Sequence, residues 1–302
     1  MERGRAGEGP LLMLRIVHGS DIHFGRPHDP AMARAFLEAT LERSPDLLVL
    51  SGDFTQRAKV AEFREARSWL DGLPRDLPIV VTPGNHDVPL WRVAERLLSP
   101  FRNYRRFIHP ELDRVTRVPG ATVVSLNSAA PRRAITNGRL GSRQLEFARR
   151  AFDASPPEDV RILVAHHHLA PAPDYQGDRP LPRARQILEA LESMGVQLVL
   201  GGHLHRAYIG NSLDVHPGAD RNRGIVIVQS GTTTSRRGRA REQEKNSFNE
   251  IRVEGARIEV EHLMHFREDG GFRPFSHHVF PRPPFSWLGQ DGTAAPGGGK
   301  VA

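Results

Sequence analysis

Five short stretches of the chain carry side chains able to bind a metal ion: Asp21-Ile22-His23, Gly52-Asp53, Gly84-Asn85-His86-Asp87, His166-His167-His168 and Gly202-His203-Leu204-His205. Their carboxylate, carboxamide and imidazole donors form an N/O set suited to Mn²⁺, iron, Zn²⁺ or Co²⁺ rather than to a thiophilic ion. In an extended segment alternate residues point to one side, so His203 and His205 can face one ion together. Each stretch alone is equally an ordinary cap or turn. As a set of five, each just past an apolar run, they predict a metal centre.

The elements that must position these residues are short apolar strands. β-rich runs at 12–17, 46–50, 78–81, 122–126, 160–165, 196–200, 225–229, 250–253 and 257–260 alternate with helical patterns at 30–43, 61–70, 91–108, 142–152 and 183–194. The first half reads β-α-β-α-β, which implies right-handed crossovers and a mostly parallel sheet. The later strands lie closer together with fewer helices, as a second, mixed or antiparallel sheet requires. All five polar stretches fall at C-terminal strand ends, the edge at which open α/β sheets bind ligands. One domain over 12–288 is expected, between a flexible leader (1–11) and a disordered Gly-rich tail (289–302).

Composition bounds the rest. The 302 residues contain no Cys, which excludes disulfides, thiolate zinc sites, iron–sulfur clusters and Cys nucleophiles. Fifteen His in such a chain make imidazole its main nitrogen ligand. No stretch approaches the ~20 apolar residues of a bilayer span, and the N-terminus lacks the apolar centre of a secretory signal. The expected location is the cytoplasm. The formal charge of +7 favours anionic partners such as phosphate esters or nucleic acid.

The five stretches, in this order, resemble the calcineurin-like metallophosphoesterase superfamily, whose pattern is Asp-x-His, Gly-Asp-x-x-Asp, Gly-Asn-His-Asp/Glu, a His, and Gly-His-x-His. The resemblance spans roughly residues 12–265. It implies a four-layer α/β/β/α sandwich of two mixed sheets with a dinuclear metal site at the strand C-terminal ends. It implies that Asp21, His23 and His205 bind one divalent ion, that Asn85, His166 and His203 bind the second, and that Asp53 bridges them with one oxygen on each. His167 stands as the fallback for His166. The second Asp of Gly-Asp-x-x-Asp is Gln56 here. Its side-chain carbonyl can orient His86 without raising its basicity as a carboxylate would. This departure argues against the phosphoprotein phosphatases and resembles the bacterial class III cyclic nucleotide phosphodiesterases, as do Leu126-Asn127-Ser128 and the stretch from Gly138 to Leu145.

The resemblance implies hydrolysis of a small phosphodiester, a cyclic nucleotide first, by a hydroxide shared between the ions. His86 is the candidate catalytic residue, giving a proton to the leaving alkoxide or holding a phosphoryl oxygen. Asp87 is read as fixing its loop. A DNA-repair-type nuclease would suit the charge, but little chain remains after His205 for its capping domain. A nucleotide-sugar pyrophosphatase and a non-catalytic metal-binding scaffold are further alternatives. The run Arg236, Arg237, Arg239 and Arg241 after Gly231-Thr232-Thr233-Thr234 is either a phosphate clamp or a solvated loop.

Overall fold

The computed structural model describes residues 13–132, 138–171, 179–216, 224–239 and 242–284. The expected leader, the tail and Arg241 lie outside these residues. Twelve strands and seven helices are described: β1 (Leu14–Gly19), α1 (Pro30–Arg43), β2 (Leu47–Leu50), α2 (Val60–Leu70), β3 (Ile79–Val81), α3 (Val93–Leu98), α4 (Arg102–Phe107), β4 (Arg114–Val118), β5 (Ala121–Ser125), α5 (Ser142–Asp153), β6 (Val160–Val164), α6 (Ala184–Ser193), β7 (Leu198–Gly201), β8 (Tyr208–Asn211), α7 (Ser212–Val215), β9 (Val226–Gln229), β10 (Ser247–Glu254), β11 (Arg257–Phe266) and β12 (Gly271–Pro281).

They form two six-stranded mixed sheets, ordered β12-β11-β10-β1-β2-β3 and β4-β5-β6-β7-β9-β8. β1, β2 and β3 run parallel, as do β5, β6, β7 and β9. Strand alternation builds the layers. Ile16, Leu47 and Val49 face Val123, Ile162, Leu198 and Leu200 of the other sheet in one buried core. Their neighbours Val17, Leu48 and Leu50 face outward under Phe36 of α1 and Phe63 of α2. On the far side Val124, Leu163 and Val199 pack under Phe152 of α5 and Leu188 of α6. A helix layer, two sheets and a second helix layer make the α/β/β/α sandwich that the resemblance implies.

Four details differ from the sequence reading. The helix expected over 91–108 is two short helices, because Pro100 has no N–H to donate and Ser99 before it leaves the helical region. β4, β8 and β12 were not anticipated. All three are edge strands, where partial exposure replaces the continuous apolar run with mixed residues. β12 carries His277 and His278 into a long antiparallel pairing with β11.

Candidate metal centre

The five polar stretches leave the C-terminal ends of β1, β2, β3, β6 and β7 and meet at the seam between the sheets. Backbone hydrogen bonds lace them: Asp21 N–H to Gly52 O (3.1 Å), His23 N–H to Asp53 O (2.9 Å) and Gly202 N–H to His166 O (3.0 Å). Other bonds cross from sheet to sheet, among them His203 N–H to Asp21 Oδ2 at 2.9 Å. A Cβ on Gly84 would strike the backbone and carboxylate of Asp53, and one on Gly202 would strike Ser20 and Asp21. Only hydrogen fits at either position.

Two donor sets result. In the first, Asp21 Oδ1 lies 3.1 Å from His205 Nε2 and 3.6 Å from His23 Nε2, and the two imidazole nitrogens are 3.2 Å apart. In the second, Asn85 Oδ1 lies 3.2 Å from His166 Nε2 and 3.0 Å from His203 Nδ1. Asp53 Oδ2 stands between them, 3.7 Å from His23 Nε2 and 3.3 Å from His166 Nε2. Asp53 Oδ1 accepts His86 N–H at 2.7 Å, so a single oxygen faces both sets. This replaces the expectation of one carboxylate oxygen for each ion.

The residues fit a metal by their own chemistry. Bonds of about 2.1 Å put adjacent ligand atoms about 3.0–3.4 Å apart in octahedral or tetrahedral geometry, close to the spacing found. Asp21 Oδ1 and Asp53 Oδ2 are buried among imidazole nitrogens alone, a place suited to a cation. Asp21, His23, Asp53 and His205 bring one ligand atom each within 4.8 Å of one another. His166 Nδ1–H donates to Ser51 O and His205 Nδ1–H to Arg237 O, which turns both Nε2 atoms inward. Burial lowers His23 and His203 to about 3, so both are neutral donors at pH 7. Burial raises Asp21 and Asp53, but the His residues around them outweigh it and hold both carboxyls below the usual range. Burial likewise lowers His166, yet Asp53 and Asp21 more than offset it and push it up to about 9.

His167 points elsewhere: its Nδ1 pairs with Ser128 Oγ at 2.8 Å. It lines, with His168, Arg179, Leu181 and His203, a cleft of about 260 Å³ beside the second donor set. The stretches around Asn127 and Gln144 meet, since Gln144 Nε2–H donates to Asn127 O at 2.8 Å. Asp87 ties loops together, accepting from Gly84, Phe54 and Thr55 N–H.

Two features were not readable in the sequence. Asp21, His23, Asp53, His203 and His205 all have φ between 52° and 76°, a region that costs non-glycine residues about 1–3 kcal/mol each and clusters at functional sites. The second is a ring of contacts around His86. Its Nδ1–H donates to the main-chain O of Gln56 at 2.9 Å, while the Gln56 side chain accepts from Arg237 Nη1 at 2.9 Å. Arg237 Nη1 is also 3.3 Å from His86 Nε2. The amide side chain of Gln56 therefore orients Arg237, not His86 as expected.

A model of the family described as "Calcineurin-like phosphoesterase" matches residues 14–207. A protein of Synechococcus sp. named "Probable cyclic nucleotide phosphodiesterase" is 32% identical over 215 residues, covering 67% of this chain and 77% of the relative. The UDP-2,3-diacylglucosamine pyrophosphatase LpxG of Chlamydia muridarum is 36% identical over 157 residues, 51% of this chain and 41% of that protein's length. Among solved structures, purple acid phosphatase PPD1 from yellow lupin superposes with a TM-score of 0.67 at 14% identity, over 91% of this chain and 55% of the plant protein. That likeness is one of fold.

Proposed function

The chain belongs to the calcineurin-like phosphoesterase family, hydrolases that use two divalent metal ions, and we propose that it cleaves a phosphodiester in a small substrate, with cyclic nucleotides the first candidates. The observation that carries this reading is the pair of donor sets hinged on Asp53 Oδ2. Asp21, His23 and His205 would hold one ion, Asn85, His166 and His203 the other, and Asp53 would serve both. When bound, the ions supply Lewis acidity toward phosphoryl oxygens and lower the pKa of a water toward about 7.

The chain's own residues do the rest. Asn85 is an uncharged ligand and limits negative charge facing an anionic ester. His86, protonated at both ring nitrogens when substrate is bound, gives its Nε2 proton to the leaving oxygen and keeps Nδ1–H on Gln56 O. Such transfer contributes typically 10²–10⁴-fold. The cleft lined by His167, His168 and Arg179 receives the remainder of a small substrate. A second reading, cleavage of a nucleotide-sugar pyrophosphate, draws on the likeness to the Chlamydia enzyme.

The Mn²⁺-loaded protein is expected to hydrolyse bis-p-nitrophenyl phosphate. Asn85→Ala and His203→Ala should each lower kcat/KM by more than about a hundredfold, beyond the loss typical of residues that merely support a ligand. Wild-type rates in both variants would refute the site. Metal binding without turnover on any diester would leave the scaffold reading. A panel of cyclic nucleotides, dinucleotides and nucleotide sugars separates the two substrate classes.

A further inference from the structure

We propose that Arg237, held by Gln56, forms an anion-binding subsite for the non-bridging oxygens of the substrate's phosphoryl group. This rests on the phosphoesterase reading and adds to it a residue outside the metal ligands. Arg237 sits on the segment after β9, and that segment is built into the centre rather than draped over it. Thr233 N–H donates to Ser20 O, Thr232 Oγ1–H to Asp21 O and Thr234 Oγ1–H to Ile22 O. Arg239 N–H donates to His205 O, and the Arg237 carbonyl itself accepts from His205 Nδ1. The backbone of Arg237 is thus fixed one hydrogen bond from a candidate ligand.

The side chain is fixed as well. Nη1 donates to Gln56 Oε1 and approaches His86 Nε2, while Nε and Nη2 have no protein acceptor among the described residues. A carboxylate at position 56 would close an ion pair with the guanidinium and cancel its charge. The amide of Gln56 aims Arg237 equally well and leaves the charge for a ligand. Gln56 is the positioning residue and Arg237 the ligand-contacting one. Guanidinium presents donors in a planar fork that matches phosphate oxygens. When a phosphoryl oxygen replaces His86 Nε2 as the acceptor of Nη1–H, His86 is released toward the leaving group.

The test uses full-length Mn²⁺-loaded protein with inorganic phosphate as the probe, measured by titration calorimetry beside steady-state kinetics on bis-p-nitrophenyl phosphate and metal content. Arg237→Ala is expected to weaken phosphate binding by about ten- to a hundredfold, the range of one charge-assisted hydrogen bond, and to raise KM, with metal content unchanged. Gln56→Glu, which keeps the shape and adds the cancelling charge, is expected to weaken phosphate binding similarly. Arg237→Lys should retain part of the affinity. Phosphate affinity unchanged in Arg237→Ala and in Gln56→Glu would overturn the proposal, as would loss of metal in step with loss of phosphate. Arg237-dependent phosphate binding in a protein that turns over no ester would overturn the enzymatic reading and leave the subsite standing; turnover with Arg237-independent binding would do the reverse.

Discussion

At the scale of single residues, the centre is a set of donors whose protonation is arranged by burial and by one another. His166 is the informative case. Desolvation lowers its pKa, but the carboxylates of Asp53 and Asp21 reverse this and raise it to about 9 in the metal-free protein. The raised value means that the metal-free fold gains stability from the His166 proton below about pH 6.5, and loses it as pH rises through about 9. At pH 7–8 an arriving ion must therefore displace a proton from Nε2. Loading should release about one proton per protein in that range, and apparent affinity should fall as pH falls. Calorimetry of Mn²⁺ binding in buffers of different ionisation enthalpy measures the release; His166→Ala should abolish it, and an unaltered value in that variant would sink the assignment. Residue type and position after a strand singled out the five stretches, and the family resemblance picked the seven ligand candidates within them. What could not be read was the left-handed backbone at five of them, because φ is set by the crowding of five loops, and short-range sequence does not encode that crowding.

At the scale of elements, the parallel strands do the positioning, and glycine permits it. The loop after β3 passes so close to the loop after β2 that Gly84 leaves no room for a Cβ against Asp53. Gly84→Ala should therefore displace Asp53 and its hydrogen bond to His86 N–H, lowering the binding of both ions while the sheets stay folded. Inductively coupled plasma analysis with far-ultraviolet circular dichroism tests this; a variant that keeps two ions per chain would show that the loops can part without cost. The same scale explains what the sequence did and did not disclose. A strand buried on both faces, such as Leu47–Leu50, announces itself as an unbroken apolar run. β4, β8 and β12 lie at sheet edges, and only tertiary pairing stabilises them. The helical pattern across 91–108 ignored Pro100, and the structure breaks there.

At the scale of the whole molecule, the centre sits where two sheets that share an apolar core meet at their strand C-terminal ends. Asp21, His23, Asp53 and Asn85 come from the sheet of β1, β2 and β3, whereas His166, His203 and His205 come from that of β6 and β7. Each donor set draws on both sheets, so an ion held by either set would cross-link them, whereas in the metal-free protein the carboxylates of Asp53 and Asp21 are met by the His166 proton. Ligand binding to the native state alone adds RT ln(1 + [L]/Kd), about 2.7 kcal/mol at a hundredfold excess over Kd. For a chain of this size that corresponds to roughly 5 °C in Tm. Calorimetric scans should accordingly show Tm falling by about that much when Mn²⁺ is replaced by a chelator. In Asp53→Asn the donor shared by both sets becomes neutral, which removes the pairing with protonated His166 from the metal-free fold and the attraction for cations from the loaded one. That variant should melt no higher than the metal-free wild type and respond little to Mn²⁺. A wild type whose Tm ignores the chelator, or an Asp53→Asn whose Tm rises with Mn²⁺ as the wild type's does, would mean that the two sheets are joined without the cations.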